Sequence, residues 1–278
     1  MSILRHGEST TRSNLRQPTP KVDFKLAAAR FLALPFCLLV WELISRSGHF
    51  NSQLFPPPSE VFSTLWGDLR SGLILSDAGA SLSRVTVGYV TGALIGIGFG
   101  VLTGRSTMAD ASIGQIFQLA RPIPPISLVP VAILWFGLGE FAKYFLVFFG
   151  VFFPVWINAH LGISNIERSY VWMAESMGAS RWSQIFNVYL PAATPLIFAG
   201  LRVAIATSFF CLVAAEIAGA SSGLAFRIEV SHLAFRVDRM FGDMIVLGML
   251  SAAADQGLAL GLQKLFPWAQ QGAAQNGQ

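Results

Sequence analysis

Apolar residues along the chain gather into long runs separated by short polar segments. Six of these runs are about 20 residues long, the length that a helix needs to cross the hydrocarbon core of a membrane. The pattern therefore predicts an all-α polytopic membrane protein with about six transmembrane helices. The predicted spans are residues 26–44, 85–103, 122–139, 144–162, 190–215 and 240–262.

The composition supports this interpretation. Of the 278 residues 53% are hydrophobic and only 12% are charged, whereas soluble domains carry about 25% charged residues. The 23 Phe and 7 Trp also represent more apolar surface than a disordered chain exposes. The composition thus excludes both a soluble domain and a disordered chain.

The charged residues indicate the domain organisation and the orientation. We expect a polar N-terminal tail at residues 1–25, a transmembrane domain at 26–268 and a polar C-terminal tail at 269–278. Lys and Arg are more frequent in the segments on the side of the N-terminus, and cytoplasmic loops carry this excess. No cleavage site follows the first apolar run, so it predicts an uncleaved helix. With six spans, both termini are expected in the cytoplasm.

Two of the predicted spans contain glycines or prolines that affect how the helix packs or whether it is continuous. Gly92, Gly96 and Gly100 form a stripe on one helical face, which lets a neighbouring helix approach closely. The span at 122–139 contains four prolines, which cannot donate a backbone hydrogen bond. It is either a broken helix that faces a cavity or a loop followed by a helix near Pro125.

Motifs for catalysis or cofactor binding are missing from the sequence. No lysine follows a glycine, so the chain has no P-loop for ATP, and Cys37 and Cys211 lie in apolar runs without metal spacing. Gly219–Gly223 spells G-x-S-x-G, but a membrane span precedes it instead of a strand, which favours a plain loop. We expect no enzyme activity, no cofactor and no nucleic-acid partner. Any energy for transport must come from an ion gradient or from another protein.

The segment at 165–190 is predicted to be a cytoplasmic loop. Its apolar residues fall at helical spacing that is interrupted at Gly178, which predicts two short amphipathic helices. Ser180 is suited to cap the second helix. Because so much apolar surface is unusual in a cytoplasmic loop, we expect the membrane face or a partner to cover part of it.

This segment resembles a known motif. Ala174 to Ser180, followed by Leu190 and Pro191, is similar to the "EAA" loop of ATP-binding-cassette importer permeases. Flanking stretches extend the resemblance to the nitrate/sulfonate/taurine-type branch over roughly residues 30–268. These stretches are residues 55–62, 81–106, 121–145, 152–163, 199–206 and 214–226.

The resemblance implies a function and a set of partners. The loop would be a coupling helix that docks on a separate ATPase, through Trp172, Ala174, Glu175, Gly178, Ala179, Ser180, Leu190 and Pro191. Two permease copies, as a homodimer, would join two ATPase copies and an extracytoplasmic solute-binding protein in a bacterial cytoplasmic (inner) membrane. The solute would be a sulfonate, taurine, nitrate or a similar small anion or heterocycle. Trp172 departs from the family, because it stands where the motif has glutamate.

A few charged residues in or beside the apolar runs are candidates for the pathway. Arg202, Glu216 and Arg121 would line or gate it, or would anchor helices to one another by hydrogen bonds. Asp243 and Asp255 fit the two ends of one span better than a proton relay. The alternative function is a gradient-driven secondary transporter or channel that works without an ATPase.

Overall fold

In the computed structural model, residues 24–49, 51 and 53–266 are described, and this part of the chain is built from helices. The predicted tails at 1–25 and 269–278 lie almost entirely outside the described residues. In chain order the helices are α1 (Phe24–Arg46), α2 (Pro58–Arg70), α3 (Leu73–Arg105), α4 (Thr107–Ala120), α5 (Pro125–Phe136), α6 (Glu140–Ser164), α7 (Arg168–Ser176), α8 (Arg181–Gly219), α9 (Leu224–Leu233) and α10 (Val237–Leu265).

The predicted all-helical membrane fold is confirmed. Over the described residues, α3, α6, α8 and α10 are long and apolar enough to cross a membrane, and α4 with α5 adds a fifth span if the bent pair counts as one. Helix α1 coincides with the predicted first span. Helix α3 begins twelve residues before the predicted span, at Leu73, because it also contains polar residues that the hydrophobic pattern does not capture.

The centre of the fold is a three-helix core of α3, α6 and α8. Small and β-branched residues from these helices, such as Val85, Val151 and Ala204, form one buried cluster. The predicted glycine stripe faces α6: a Cβ added to Gly92 would lie 2.9 Å from the carbonyl oxygen of Phe148, and one added to Gly96 would lie 3.0 Å from the carbonyl oxygen of Phe152. The glycines therefore set the close approach of the two helices.

Of the two alternatives for residues 122–139, the structure shows a short loop followed by a helix that begins at Pro125. Helices α4 and α5 meet at an angle of 88°, and α5 is short, with a 3₁₀ turn at Pro125–Leu128 before its α-helical part. Pro124 is extended, with φ −64° and ψ 128°, because a residue that precedes a proline avoids the helical region. The prolines thus end one helix and start the next at a new angle.

The segment at 165–190 also differs from the predicted pair of short helices. Helix α7 is short, but the second helix continues without a break into the fifth predicted span and forms α8. Pro191 is accommodated by a π-helical turn at Ile185–Tyr189, in which the Leu190 N–H donates to the carbonyl of Ile185, five residues back. The cytoplasmic loop is therefore shorter than predicted, and Pro191 lies inside a long helix.

Candidate coupling surface and charged clusters

The turn between α7 and α8 is built around Gly178. This residue has φ +73°, which glycine adopts without steric cost, and its N–H donates to the carbonyl of Glu175 at 2.9 Å. The N–H of Ala179 donates to the carbonyl of Ala174 at 3.0 Å, which completes a Schellman-type helix end. The Ser180 hydroxyl then accepts from the N–H of Ser183 at 3.2 Å, so the predicted cap of the second helix is confirmed.

Helix α7 presents its side chains to two cavities. On one side Tyr170, Met173, Ala174 and Met177 line an apolar groove of about 350 Å³, whose other wall includes Pro191 of α8. The structure thus brings the predicted residues Ala174 and Pro191 together.

The other side of α7 faces a polar cavity of about 470 Å³, which Trp172 and Glu175 help to line. These two predicted residues therefore lie on a different face from Ala174. Leu190 packs inward against the core residues Ala159, Ile163, Ala193 and Ile197.

Large apolar side chains remain uncovered around the groove. Met177 is 82% exposed, and Trp182 stacks on Phe186 at 6.4 Å between ring centroids while both stay exposed. Large apolar side chains that are exposed on neighbouring segments in this way are typical of an interaction site. We name the exposed residues Tyr170, Met173, Met177, Trp182 and Phe186 the coupling surface.

A cluster of polar side chains surrounds Arg84 of α3. At a rise of 1.5 Å per residue, Arg84 lies about 30 Å along the helix axis from the end of α3 that lines the polar cavity. Its five N–H groups all donate: two to Glu140 at 2.7 and 2.8 Å, one to Glu216 at 2.8 Å, and two to the carbonyl and hydroxyl of Ser222 at 2.7 and 3.2 Å. Glu216 also accepts from the Ser81 hydroxyl at 2.8 Å. We name these five residues the Arg84 cluster.

The Arg84 cluster bears on the predicted role of Glu216. The Glu216 side chain is 0% exposed, and its partners are Ser81 and Arg84 of α3 and the N–H of Ala225 at the start of α9. This geometry favours the anchoring interpretation that the sequence left open. Glu140 and Ser81 were missed by the sequence reasoning, although charged and hydroxyl residues at the ends of apolar runs were the available signal.

A second charged cluster lies near the first. Arg227 of α9 is within 2.7 Å of Asp68, 3.6 Å of Asp77 and 3.2 Å of Asp243. Asp68 also contacts Arg239 at 2.9 Å. Asp243 is therefore a buried ion-pair partner that joins α9 to α10, which agrees with the expectation that it is no proton relay.

Arg202 and Asp255 form a bidentate ion pair between α8 and α10. The Nε and Nη2 atoms of Arg202 donate to the two Asp255 oxygens, each at 3.0 Å. The Arg202 side chain is nevertheless 64% exposed. Arg121, at the bend between α4 and α5, is exposed and forms no ion pair with the described residues.

A polar cavity of about 440 Å³ lies beside the turn between α9 and α10. It is lined by Gln53, Glu60, Phe235, Arg236 and Asp238, among others. Two hydrogen bonds to Asp238, at 3.0 and 2.9 Å, raise the pKa of Arg236 above its ordinary value, and the two side chains form a neutral ion pair in this wall. Phe235 has φ +55°, a strained value for a large residue, and presents its ring to solvent.

Comparisons with known proteins agree with this architecture. The chain is 29% identical to the taurine transport system permease protein TauC of Escherichia coli over 84% of this chain and 87% of the relative. It is 32% identical to the putative aliphatic sulfonates transport permease protein SsuC of Escherichia coli, over 89% and 94%. It is 31% identical to the bicarbonate transport system permease protein CmpB of Synechocystis, over 82% and 85%.

A solved structure and a family profile complete the comparison. The fold matches a chain in the inward-facing MetNI methionine ABC transporter with a TM-score of 0.57 at 17% identity, covering 73% of this chain and 98% of that chain. The family profile of binding-protein-dependent transport system inner membrane components matches residues 92–255, more than half of the chain. The resemblance inferred from the sequence is thereby confirmed. The protein belongs to this family and is a multi-pass permease subunit of an ATP-binding-cassette importer in the inner membrane.

Proposed function

We propose that this permease subunit carries a small anion and is driven by a separate ATPase that docks on the coupling surface. The observation that carries the proposal is the apolar groove between α7 and α8. Met177 lines this groove and is largely exposed. The names of the relatives support the substrate class, because taurine, aliphatic sulfonates and bicarbonate all bear an anionic group. Hydrolysis of ATP takes place on the partner chain.

The family supports the following proposed assembly. Two copies of this chain form the pathway as a homodimer, two ATPase copies dock on their coupling surfaces, and an extracytoplasmic binding protein delivers the solute. The coupling helix and both termini face the cytoplasm in this arrangement. Trp172 lies outside the coupling surface but is 62% exposed, so it can supply an aromatic contact to the ATPase in place of the glutamate contact of the motif.

The Arg202–Asp255 pair is the best candidate for a pathway site. Arg202 lies twelve residues after Leu190, or about 18 Å along the helix axis, which places it deep in the bilayer. An arginine at that depth costs about 2.5–3.5 kcal/mol unless it faces protein or water. Because Arg202 is exposed in the single chain, we infer that the side of α8 that carries it faces either the water-filled path or the second copy of the permease.

Reconstitution in liposomes tests the proposed function. The permease together with its ATPase and its binding protein should take up solute only with ATP, and the permease alone should neither hydrolyse ATP nor take up solute along an imposed ion gradient. Assaying taurine, an alkanesulfonate, nitrate and bicarbonate in parallel identifies the substrate. Gradient-driven uptake by the permease alone would instead support the secondary transporter.

Exchanging the two charges tests the pathway role of Arg202. Arg202→Asp or Asp255→Arg alone should lower the yield of assembled transporter, because each leaves two like charges in contact in the membrane. The double exchange should restore assembly, since the pair re-forms. Uptake should stay at least about tenfold below the wild-type rate, because the position of the cation has moved. Full recovery of uptake in the double exchange would show that the pair is only an anchor.

A further inference from the structure

The polar cavity beside α7 contains four charged residues, of which only Glu175 is among the predicted docking residues. It lies where α3 and α6 end, and α4, α7 and the ring of Tyr189 close its sides. Its volume of about 470 Å³ is large enough for a small polar molecule. Because α3 and α6 are long and apolar enough to cross a membrane and the cavity lies at their ends, we expect it near the level of the lipid head groups.

Two arginines in this cavity have no acidic partner. Six described arginines form ion pairs with carboxylates, whereas neither Arg105 nor Arg168 does so within the described residues. The guanidinium of Arg105 lies 5.5 Å from the ring centre of Tyr189, which fixes its position and leaves its N–H groups available. Guanidinium groups are well suited to bind a phosphate, and both of these residues line the same cavity.

Two carboxylates line the same cavity without pairing with these arginines. Glu175 forms no ion pair within the described part of the chain. One oxygen of Asp110, Oδ1, has no solvent access and accepts no hydrogen bond, with His160 Nδ1 3.7 Å away, while the Asp110 side chain as a whole is 37% exposed. The exposed part of the Asp110 carboxylate, which has no hydrogen-bond donor among the described residues, can accept from a cationic donor in the cavity.

His160 does not supply that donor. Its Nδ1 lies 3.1 Å from the Thr103 hydroxyl, which already donates to the carbonyl of Phe99 at 2.8 Å and accepts from Trp156 at 3.1 Å. A hydroxyl has one proton to donate, so His160 Nδ1 must donate to Thr103. The Asp110 carboxylate is therefore left for a ligand.

We propose that this cavity binds a zwitterion that carries a phosphate ester and a primary ammonium, as in the head group of phosphatidylethanolamine. The phosphate would contact Arg105 and Arg168, and the ammonium would donate to Asp110 and Glu175. The level of the cavity in the membrane favours a lipid as the source, while soluble phosphoethanolamine carries the same chemistry. The bound head group ties the coupling helix α7 to the ends of α3 and α6.

Native mass spectrometry of the full-length chain in detergent tests this site, with equal amounts of phosphatidylethanolamine, phosphatidylcholine and phosphatidylglycerol. Phosphatidylcholine is a matched probe because it has the same phosphate but a quaternary ammonium without N–H donors. We expect at least about tenfold preferential retention of phosphatidylethanolamine, because each charge-assisted hydrogen bond contributes strongly. The measurement needs neither ATPase nor transport, so its outcome is independent of the proposed function.

Two variants and one control locate the site. Arg105→Gln with Arg168→Gln should abolish the preferential retention, whereas Arg70→Gln with Arg181→Gln, two arginines outside the cavity, should leave it unchanged. Asp110→Asn should remove the discrimination between phosphatidylethanolamine and phosphatidylcholine but keep the binding of both lipids. This single variant still tests the site if the double arginine variant does not fold.

The outcomes separate the two sources of the ligand. If phosphatidylethanolamine is not retained but soluble phosphoethanolamine raises the melting temperature of the wild type and not of Asp110→Asn, the chemistry is supported and the source is soluble. Equal retention of phosphatidylethanolamine and phosphatidylcholine, without an effect of the soluble compound, would overturn the proposal. So would unchanged retention in the folded Arg105→Gln/Arg168→Gln variant.

Discussion

Replacing Arg84 by methionine is expected to destabilise the protein by about 3–5 kcal/mol, because the substitution leaves a buried charge without its partner. Glu216 has no contact with solvent, and Arg84 is the cation that neutralises it. The same change also removes the donors that hold the carbonyl of Ser222. Thermal unfolding of the purified protein in detergent, followed by circular dichroism or intrinsic fluorescence, measures the loss.

Two further variants show whether the charge is the cause. Arg84→Met combined with Glu216→Gln should recover part of the stability, since the glutamine carries no charge and its one carbonyl oxygen can still accept from Ser81 or from the N–H of Ala225. Arg236→Met is the matched control, because it removes an exposed arginine from its carboxylate partner and should cost no more than about 1 kcal/mol. Equal losses in Arg84→Met and Arg236→Met would refute the argument from burial.

The Arg84 cluster also fixes the start of α9. The first three N–H groups in this region donate to side chains: Gly223 to Asp77 at 2.8 Å, Leu224 to Ser81 at 2.9 Å and Ala225 to Glu216 at 2.9 Å. Helix α9 has no cap of its own, so side chains of α3 and α8 satisfy its first donors. The loop that precedes α9, in which Gly223 has φ +118°, is therefore held in place by hydrogen bonds to these side chains. Glu216 serves as an anchor in this arrangement.

Most of the fold could be predicted from local sequence patterns. The length of an apolar run is enough to identify a span, because lipid offers the backbone no hydrogen bonds. The glycine stripe of α3 and the turn at Gly178 and Ser180 were also predictable, since they depend on the conformational and hydrogen-bonding properties of single residues. The angle at Pro124 and the continuity of α8 through Pro191 were not predictable. A proline only disfavours a regular helix, and the packing around it decides between a break and a π-helical turn.

The charged clusters could not be assembled from the sequence alone. Arg84 and Glu216 are 132 positions apart, and Arg202 and Asp255 are 53 apart, so no local spacing links them. Likewise Trp172 and Ala174 are close in the motif but face different cavities, since two residues along a helix are separated by about 200° of rotation. Which residues of the loop act together therefore depends on what packs against each face of α7.

The substitution Met177→Asp should weaken the binding of the ATPase subunit by at least about 100-fold. Met177 lines the apolar groove and is 82% exposed in the single chain, so docking on the coupling surface would bury it. A carboxylate at this position would be buried without a partner, which costs several kcal/mol, and each 1.4 kcal/mol corresponds to a tenfold change in Kd. The dissociation constant between the solubilised permease and its purified ATPase subunit measures the effect.

Met108→Asp is the control for this variant, because Met108 is 85% exposed on α4 and lies outside the groove. Both variants replace an exposed methionine, so both should retain the melting temperature of the wild type, and only Met177→Asp should lose the ATPase. If the two variants bind the ATPase as tightly as the wild type does, the groove between α7 and α8 is not the docking site. If both lose it to the same extent, the effect comes from added charge in general, and the coupling surface has to be placed elsewhere on the cytoplasmic side.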